Sequence, residues 1–199
     1  MIGAMGDAAD TRTHEPELWL VRHGETEWSR DGRHTSFTDL PLTENGVRAA
    51  ETLRARLGGE RFDLVLTSPR DRARRTAEMA GFPDAVVEED LVEWDYGNYE
   101  GVTTAQIREH TPGWTVWTHA SPGGESAEQV GERLDRVVTE VRAHGGRVLA
   151  FGHGHALRAL AARWVGLPVT EGRALKLDTA TVSTLGYEHE SPVILRWNC

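Results

Sequence analysis

Apolar residues along the 199-residue chain fall into short runs punctuated by glycine and polar clusters. Leu18–Val21 is one such run, and it stops abruptly at Arg22-His23-Gly24, the pattern of a buried strand feeding a loop. Thr43-Glu44-Asn45 then opens a helical pattern with Val47, Ala50, Leu53, Ala55 and Leu57 near one face, and Gly58-Gly59 stops it. Asp63–Thr67 is a second strand candidate, followed by Ser68-Pro69 and an arginine-rich helix that runs to Ala80. Ala85–Val87 reads as a weaker third strand. Glu125–His144 is the longest helical pattern, with Val130, Leu134, Val137, Val138 and Val141 along its apolar side. Arg147–Phe151 is the next strand, and Gly152-His153-Gly154-His155 leads into a helix through Val165. Thr181–Tyr187 and Val193–Trp197 alternate like an antiparallel pair at a sheet edge.

Strands alternating with helices of this length predict an α/β fold with a mostly parallel sheet covered on both faces. Ligands in such sheets bind beyond the carboxyl ends of the strands. Three strand exits therefore converge on one edge: Arg22-His23-Gly24, Ser68-Pro69 ahead of Arg72, and His153-Gly154-His155. No internal repeat or low-complexity tract interrupts residues 17–199, which read as a single domain. Residues 1–16 lack the basic start and apolar core of a secretory signal and read as a disordered leader.

Composition narrows the partners. Lysine plus arginine number 22 against 31 aspartates and glutamates, a net charge of −9 that argues against nucleic acid and anionic membranes. No apolar run approaches the length needed to span a bilayer. The single cysteine, Cys199, excludes an internal disulfide framework and a multi-cysteine zinc site, so a reducing cytoplasm is the expected location.

Against that acidic background the converging edge is basic. Arg22 supplies a fixed cation, Gly24 permits close backbone approach, and Arg72 offers a guanidinium that can fork onto phosphate oxygens. His153 adds a further donor. No HExxH, GxxxxGK[ST], GxGxxG after the first strand or GxSxG is present, so neither a metal site nor a nucleotide loop is expected. Phosphoryl transfer through an attacking imidazole fits these residue types, with nearby cations stabilising the equatorial oxygens. The leaving alkoxide then needs a proton from a carboxylic acid. Asp90, Glu93, Asp95 and Glu100 all lie in one short segment, and spacing does not choose among them. Protonation of His153 and of the acid would favour an acidic pH optimum.

Five motifs carry a resemblance: LVRHGETEW (20–28), GRHTSFTDLPLTENG (32–46), TSPRDRARRTA (67–77), LVEWDYGNYEG (91–101) and FGHGHALR (151–158). Together and in this order they resemble the histidine phosphatase superfamily, in the branch of phosphoglycerate mutase-like enzymes. The resemblance implies a three-layer α/β/α sandwich with a mostly parallel central sheet and a lid insertion near 95–145. It implies that His23 is phosphorylated during turnover and that Arg22, Arg72 and His153 bind the phosphate. Glu93 would be the proton donor and then the base that activates water. Candidate substrate contacts are Ser29, Thr35, Ser36, Gly154, His155 and Arg158. No cofactor and no metal is implied.

Two departures bear on function. Ser29 stands where mutases of the family carry asparagine, and Thr35-Ser36 where they carry serine-glycine. The separation of 60 positions between Glu93 and His153 (153 − 93) is also shorter than in the mutases. The chain is therefore most similar to the acid phosphatase and sedoheptulose-bisphosphatase-like branch. The implied activity is metal-independent hydrolysis of small sugar or carboxylate phosphates. The alternatives are a 2,3-bisphosphoglycerate-dependent phosphoglycerate mutase and a non-catalytic phospho-ligand binding module.

Overall fold

The computed structural model describes residues 15–199. All but Glu15 and Pro16 of the expected leader lies outside these described residues. Six strands form one sheet: β1 (Glu17–Arg22), β2 (Leu64–Thr67), β3 (Val86–Val87), β4 (Arg147–Gly152), β5 (Val182–Glu188) and β6 (Ser191–Arg196), in the spatial order β3-β2-β4-β1-β5-β6. The first four in that order run parallel, while β5 is antiparallel to β1 and β6 to β5. The sheet is thus mixed, with its parallel part where the spacing of strands and helices predicts it.

Alternation along the strands builds two cores. Leu18, Leu20, Val148 and Ala150 face one layer, made of α5 (Ala127–His144) and α6 (Gly154–Trp164). Val21, Leu149 and Phe151 face the other, where α2 (Glu44–Leu57) contributes Leu53 and Leu57 and α3 (Asp71–Met79) contributes Ala77. The period of two along each strand sends neighbouring residues to opposite layers, which gives the three-layer sandwich. At roughly 1.5–3 kcal/mol for each fully buried Leu, Val or Phe, these two faces supply most of the drive to fold.

Two short helices lie outside the sequence reading: α1 (Glu27–Asp31) and α4 (Thr104–His110). Both are held by reciprocal caps, Thr26 with Ser29 and Thr103 with Gln106, rather than by an apolar face. The lid expected near 95–145 needs correction. α5 buries Val130, Leu134, Val137 and Val141 in the core, whereas residues 95–125, including α4, add Ile107, Trp114 and Trp117 to the same core and bring Tyr96 and Thr104 to the cavity described below.

A clamp joins the two parts. Arg133 of α5 donates to both Glu125 carboxylate oxygens (2.8 and 3.0 Å) and to the carbonyls of Asp90 and Val92. The covering segment is thereby tied to α5 at its end and to the chain just before its start.

Candidate active site

The converging strand exits meet as the spacing predicts. Beyond β1 the chain passes so close to the start of α2 that a Cβ on Gly24 would sit 2.6 Å from the Gly46 carbonyl oxygen, and one on Gly46 would sit 2.2 Å from that of Glu25. Only glycines admit this crossing, and it fixes the loop that carries His23. The Gly24 amide donates to Thr76 Oγ1 of α3 (2.9 Å).

His23 is 5% exposed, and its Nδ1 lies 2.7 Å from the carbonyl oxygen of Gly24. A carbonyl can only accept, so Nδ1 carries the proton and Nε2 of the neutral ring holds a free lone pair. Burial, then the charges of Arg72 and Arg22, push the His23 pKa well below the usual histidine range. This imidazole is consequently unprotonated at neutral pH.

His153 follows β4 as the N-cap position of α6 and is fully buried, with its ring centroid 5.2 Å from that of His23. Its Nδ1 accepts from Arg72 Nε (3.2 Å), which leaves Nε2–H to donate to Ser68 Oγ (2.7 Å). Burial and the nearby Arg72 hold its pKa well below the usual range. The expectation of a protonated His153 is therefore wrong: the residue is a neutral link between Arg72 and Ser68. Arg72 itself is 1% exposed and donates to the carbonyls of Thr35, Ser36 and Thr38.

Arg22 donates through Nη1 to the Leu177 carbonyl (2.6 Å), while its buried Nε meets no partner among the described residues. Its guanidinium lies against Gly154, where a Cβ would come within 3.3 Å of Cζ. Burial lowers the Arg22 pKa, and Glu93 is the largest charge opposing that shift.

The structure chooses among the four carboxylates. Asp90 pairs with Arg136, Asp95 accepts from the Gly97 amide, and Glu100 accepts from the amides of Ser36 and Thr38. Glu93 alone sits at the head of α6, accepting from the amides of Trp94 (2.9 Å), His155 (3.1 Å) and Ala156 (2.8 Å). Amides at a helix start are suited to hold a carboxylate at a fixed point.

A cavity of about 660 Å³, counted to its open mouth, is lined by Arg22, His23, Glu93, Gly154, His155 and Arg158, with Ser29 and Thr35 at its side. Arg72, His153 and Ser36 lie just behind this lining. Ser29 Oγ is spent on the Thr26 carbonyl, and Thr35 Oγ1 on that of Arg33. The Arg158 guanidinium rests over the Trp117 ring at 4.7 Å and donates to the carbonyls of Gly172 and Arg173.

Two wall residues are not among the expected site residues. His34, 7% exposed, has Nδ1 2.7 Å from the Val102 carbonyl and packs edge-on against Tyr96 and Trp114. Tyr96 is buried with its hydroxyl 2.6 Å from His155 Nδ1. No sequence spacing links Val102 to His34, so only the folded cover brings this ring to the site. Among the described residues no group of three or more His, Cys, Asp or Glu is arranged to hold a metal ion, and no helix is long and apolar enough to cross a membrane.

A buried neutral imidazole, a ring of guanidinium groups and a carboxylate at a helix start, set at the carboxyl edge of a parallel sheet, define an α/β protein that handles phosphate-like anions. The profile of the histidine phosphatase superfamily (branch 1) matches residues 18–199, and the chain belongs to that superfamily. It is 47% identical over 176 residues to an acid phosphatase of Mycobacterium tuberculosis, covering 86% of this chain and 87% of that protein. It is 37% identical over 187 residues to sedoheptulose 1,7-bisphosphatase of Saccharomyces cerevisiae, covering 77% and 69%. A solved structure of an open-reading-frame product of M. tuberculosis matches with a TM-score of 0.88 at 44% identity, covering 94% of this chain and 98% of that one. The protein is a phosphatase with the phosphoglycerate mutase-like fold.

Proposed function

We propose that the protein hydrolyses small phosphate monoesters, sugar or carboxylate phosphates, through a phosphohistidine formed at Nε2 of His23. One observation carries this reading: the Nδ1–H to Gly24 carbonyl bond leaves Nε2 as a bare nucleophile beside two arginines.

The substrate phosphate docks against Arg22, with Arg72 one layer deeper adding its charge and His153 orienting Arg72. His23 Nε2 attacks phosphorus as the ester oxygen leaves, and Glu93 in its protonated form gives that oxygen its proton. The products of this half are the free alcohol and phosphohistidine. Glu93, now a carboxylate, takes a proton from water, whose oxygen attacks phosphorus. Inorganic phosphate leaves and the neutral imidazole returns. The protein's own groups suffice for every step, so the reading needs no metal or cofactor. The small-molecule substrate and the location in a reducing cytoplasm, read from the lone cysteine, are parts of the same proposal.

Release of inorganic phosphate from a panel of sugar and glycolytic phosphates, with EDTA and without bisphosphoglycerate, tests it. Wild type should turn over several members and His23→Ala none. Turnover only after 2,3-bisphosphoglycerate is added would instead indicate a phosphoglycerate mutase, and binding without turnover a phospho-ligand module.

A further inference from the structure

The cavity wall also carries two histidines with opposite hydrogen-bonding character. His34 has Nδ1 against a carbonyl oxygen, that of Val102, so Nδ1 holds the proton and Nε2 can only accept. His155 has Nδ1 against the Tyr96 hydroxyl, and that buried phenol has no other partner among the described residues. Donation from the phenol to Nδ1 pairs its proton with the one acceptor in reach, and in that arrangement the neutral His155 ring carries its proton on Nε2. Burial keeps both rings from protonating, with Arg158 adding to the effect at His155. The rings are stacked 6.2 Å apart and 11° from parallel, and both line the cavity. Neither Nε2 meets a protein partner among the described residues. The wall thus presents one acceptor and one donor side by side.

We propose that His34 Nε2 and His155 Nε2–H form a hydroxyl-reading pair that selects polyhydroxylated substrates, sugar or polyol phosphates, over phosphate esters of plain alkyl or carboxylate character. A hydroxyl group both donates and accepts, so vicinal hydroxyls satisfy both nitrogens. A carboxylate or second phosphate offers no proton to His34, and an alkyl chain leaves both nitrogens unpaired in a buried wall. Tyr96 is a positioning residue here: it acts by fixing the proton on His155. Trp114 and Trp117 hold the two rings edge-on. This inference rests on the phosphomonoesterase reading above and narrows its substrate class.

The test compares kcat/KM for glycerol 3-phosphate, n-propyl phosphate and 3-phosphoglycerate, in wild type and in His34→Phe, which keeps the ring packing. Wild type should prefer glycerol 3-phosphate over propyl phosphate by about tenfold or more, as expected where a site built to pair a hydroxyl meets an analogue lacking it. His34→Phe should bring that ratio towards one. Nitrogen-15 NMR of the wild-type histidines, independent of any variant's folding, should show His34 protonated at Nδ1 and His155 at Nε2. Tyr96→Phe should weaken the preference for glycerol 3-phosphate over propyl phosphate and, in the nitrogen-15 spectrum, release His155 from the single Nε2–H tautomer. Equal turnover of the glycerol and propyl esters, an unchanged ratio in His34→Phe, the opposite tautomers, or a wild-type preference for 3-phosphoglycerate would each overturn the hydroxyl-reading pair while leaving the phosphatase reading intact. Hydrolysis of none of the three esters would instead count against the phosphatase reading, and the pair would fall with it.

Discussion

The floor of the cavity and its cover are built on different principles. The floor comes from strand exits and helix starts: His23 after β1, His153 after β4, Arg72 in the first turn of α3 and Glu93 at the head of α6. Each is fixed by backbone hydrogen bonds or a buried guanidinium. The cover, residues 95–125, holds its shape through aromatic edge contacts of Tyr99 with Trp114, Trp117 with Trp94, and Tyr96 with His34, and through the Glu125–Arg133 clamp. Histidines occur in both regions with different work. In the proposed mechanism His23 offers its lone pair to phosphorus, whereas His34 and His155 would present one acceptor and one donor to the rest of the substrate. A rigid sheet edge suits chemistry, and a cluster of side chains carried on a connecting segment suits selection.

The sharpest way to break this division is to strike the floor. His23→Ala should lower kcat/KM on the order of 10⁴-fold or more for every ester, because no neighbouring group replaces the nucleophile. A loss confined to some substrates would show that His23 selects rather than reacts. Glu93→Gln should cost on the order of 10²–10³-fold with alkyl phosphates. With p-nitrophenyl phosphate, whose leaving group needs little protonation, the loss at the first step should be much smaller. Equal losses across both leaving groups would reduce Glu93 to a structural anchor of α6.

Striking the cover should move stability and KM more than chemistry. Trp117 packs edge-on against Trp94 at 5.6 Å and against His155 at 5.2 Å, under the Arg158 guanidinium. Trp117→Ala should cost roughly 3–5 kcal/mol in denaturant unfolding and raise KM with a smaller change in kcat. A stable variant with lost kcat would place the cover in the chemistry.

The last prediction concerns pH and involves both regions. His23, His34, His153 and His155 all have pKa values lowered by burial. Below pH 6.5 the unfolded chain therefore binds protons that the folded protein does not, and stability falls as pH falls, by up to about 1.4 kcal/mol per pH unit for each such histidine. Urea unfolding at pH 7 and at pH 5.5 should show the lower stability at pH 5.5. Equal or greater stability at pH 5.5 would mean that these rings are already charged in the fold. For activity the sign differs: the lowered His23 pKa keeps the nucleophile unprotonated into mildly acidic solution. Persistence of turnover at acid pH would then come from His23 remaining neutral, and not from charging His153.

The floor was legible in the sequence because a strand exit leaves a local mark, an apolar run ending in RHG or GHGH, and the α/β pattern places such marks together. The choice of Glu93 from four carboxylates was not legible from spacing, since Asp90, Asp95 and Glu100 differ from it only in tertiary partners. The family resemblance pointed to Glu93, and the amides of α6 give the physical reason. The end of the cover is less legible: Pro122-Gly123-Gly124 marks the break before α5, but only packing assigns that helix to the core. The α4 cap was visible as Thr103 three residues before Gln106, a pattern that marks a helix start even without an apolar face. His34 left no mark, because its role depends on a carbonyl 68 positions away.

On the proposed mechanism the phosphoryl group passes through one nitrogen of one histidine. Wild type and Glu93→Gln would be mixed with an excess of a phosphate-labelled monoester, quenched in alkali within milliseconds to seconds, and the modified peptide mapped. The account predicts label on His23 alone, bonded at Nε2, with more of it accumulating in Glu93→Gln because water attack on phosphorus is slowed. Label on another residue, label at Nδ1, or turnover with no label in either protein would contradict it.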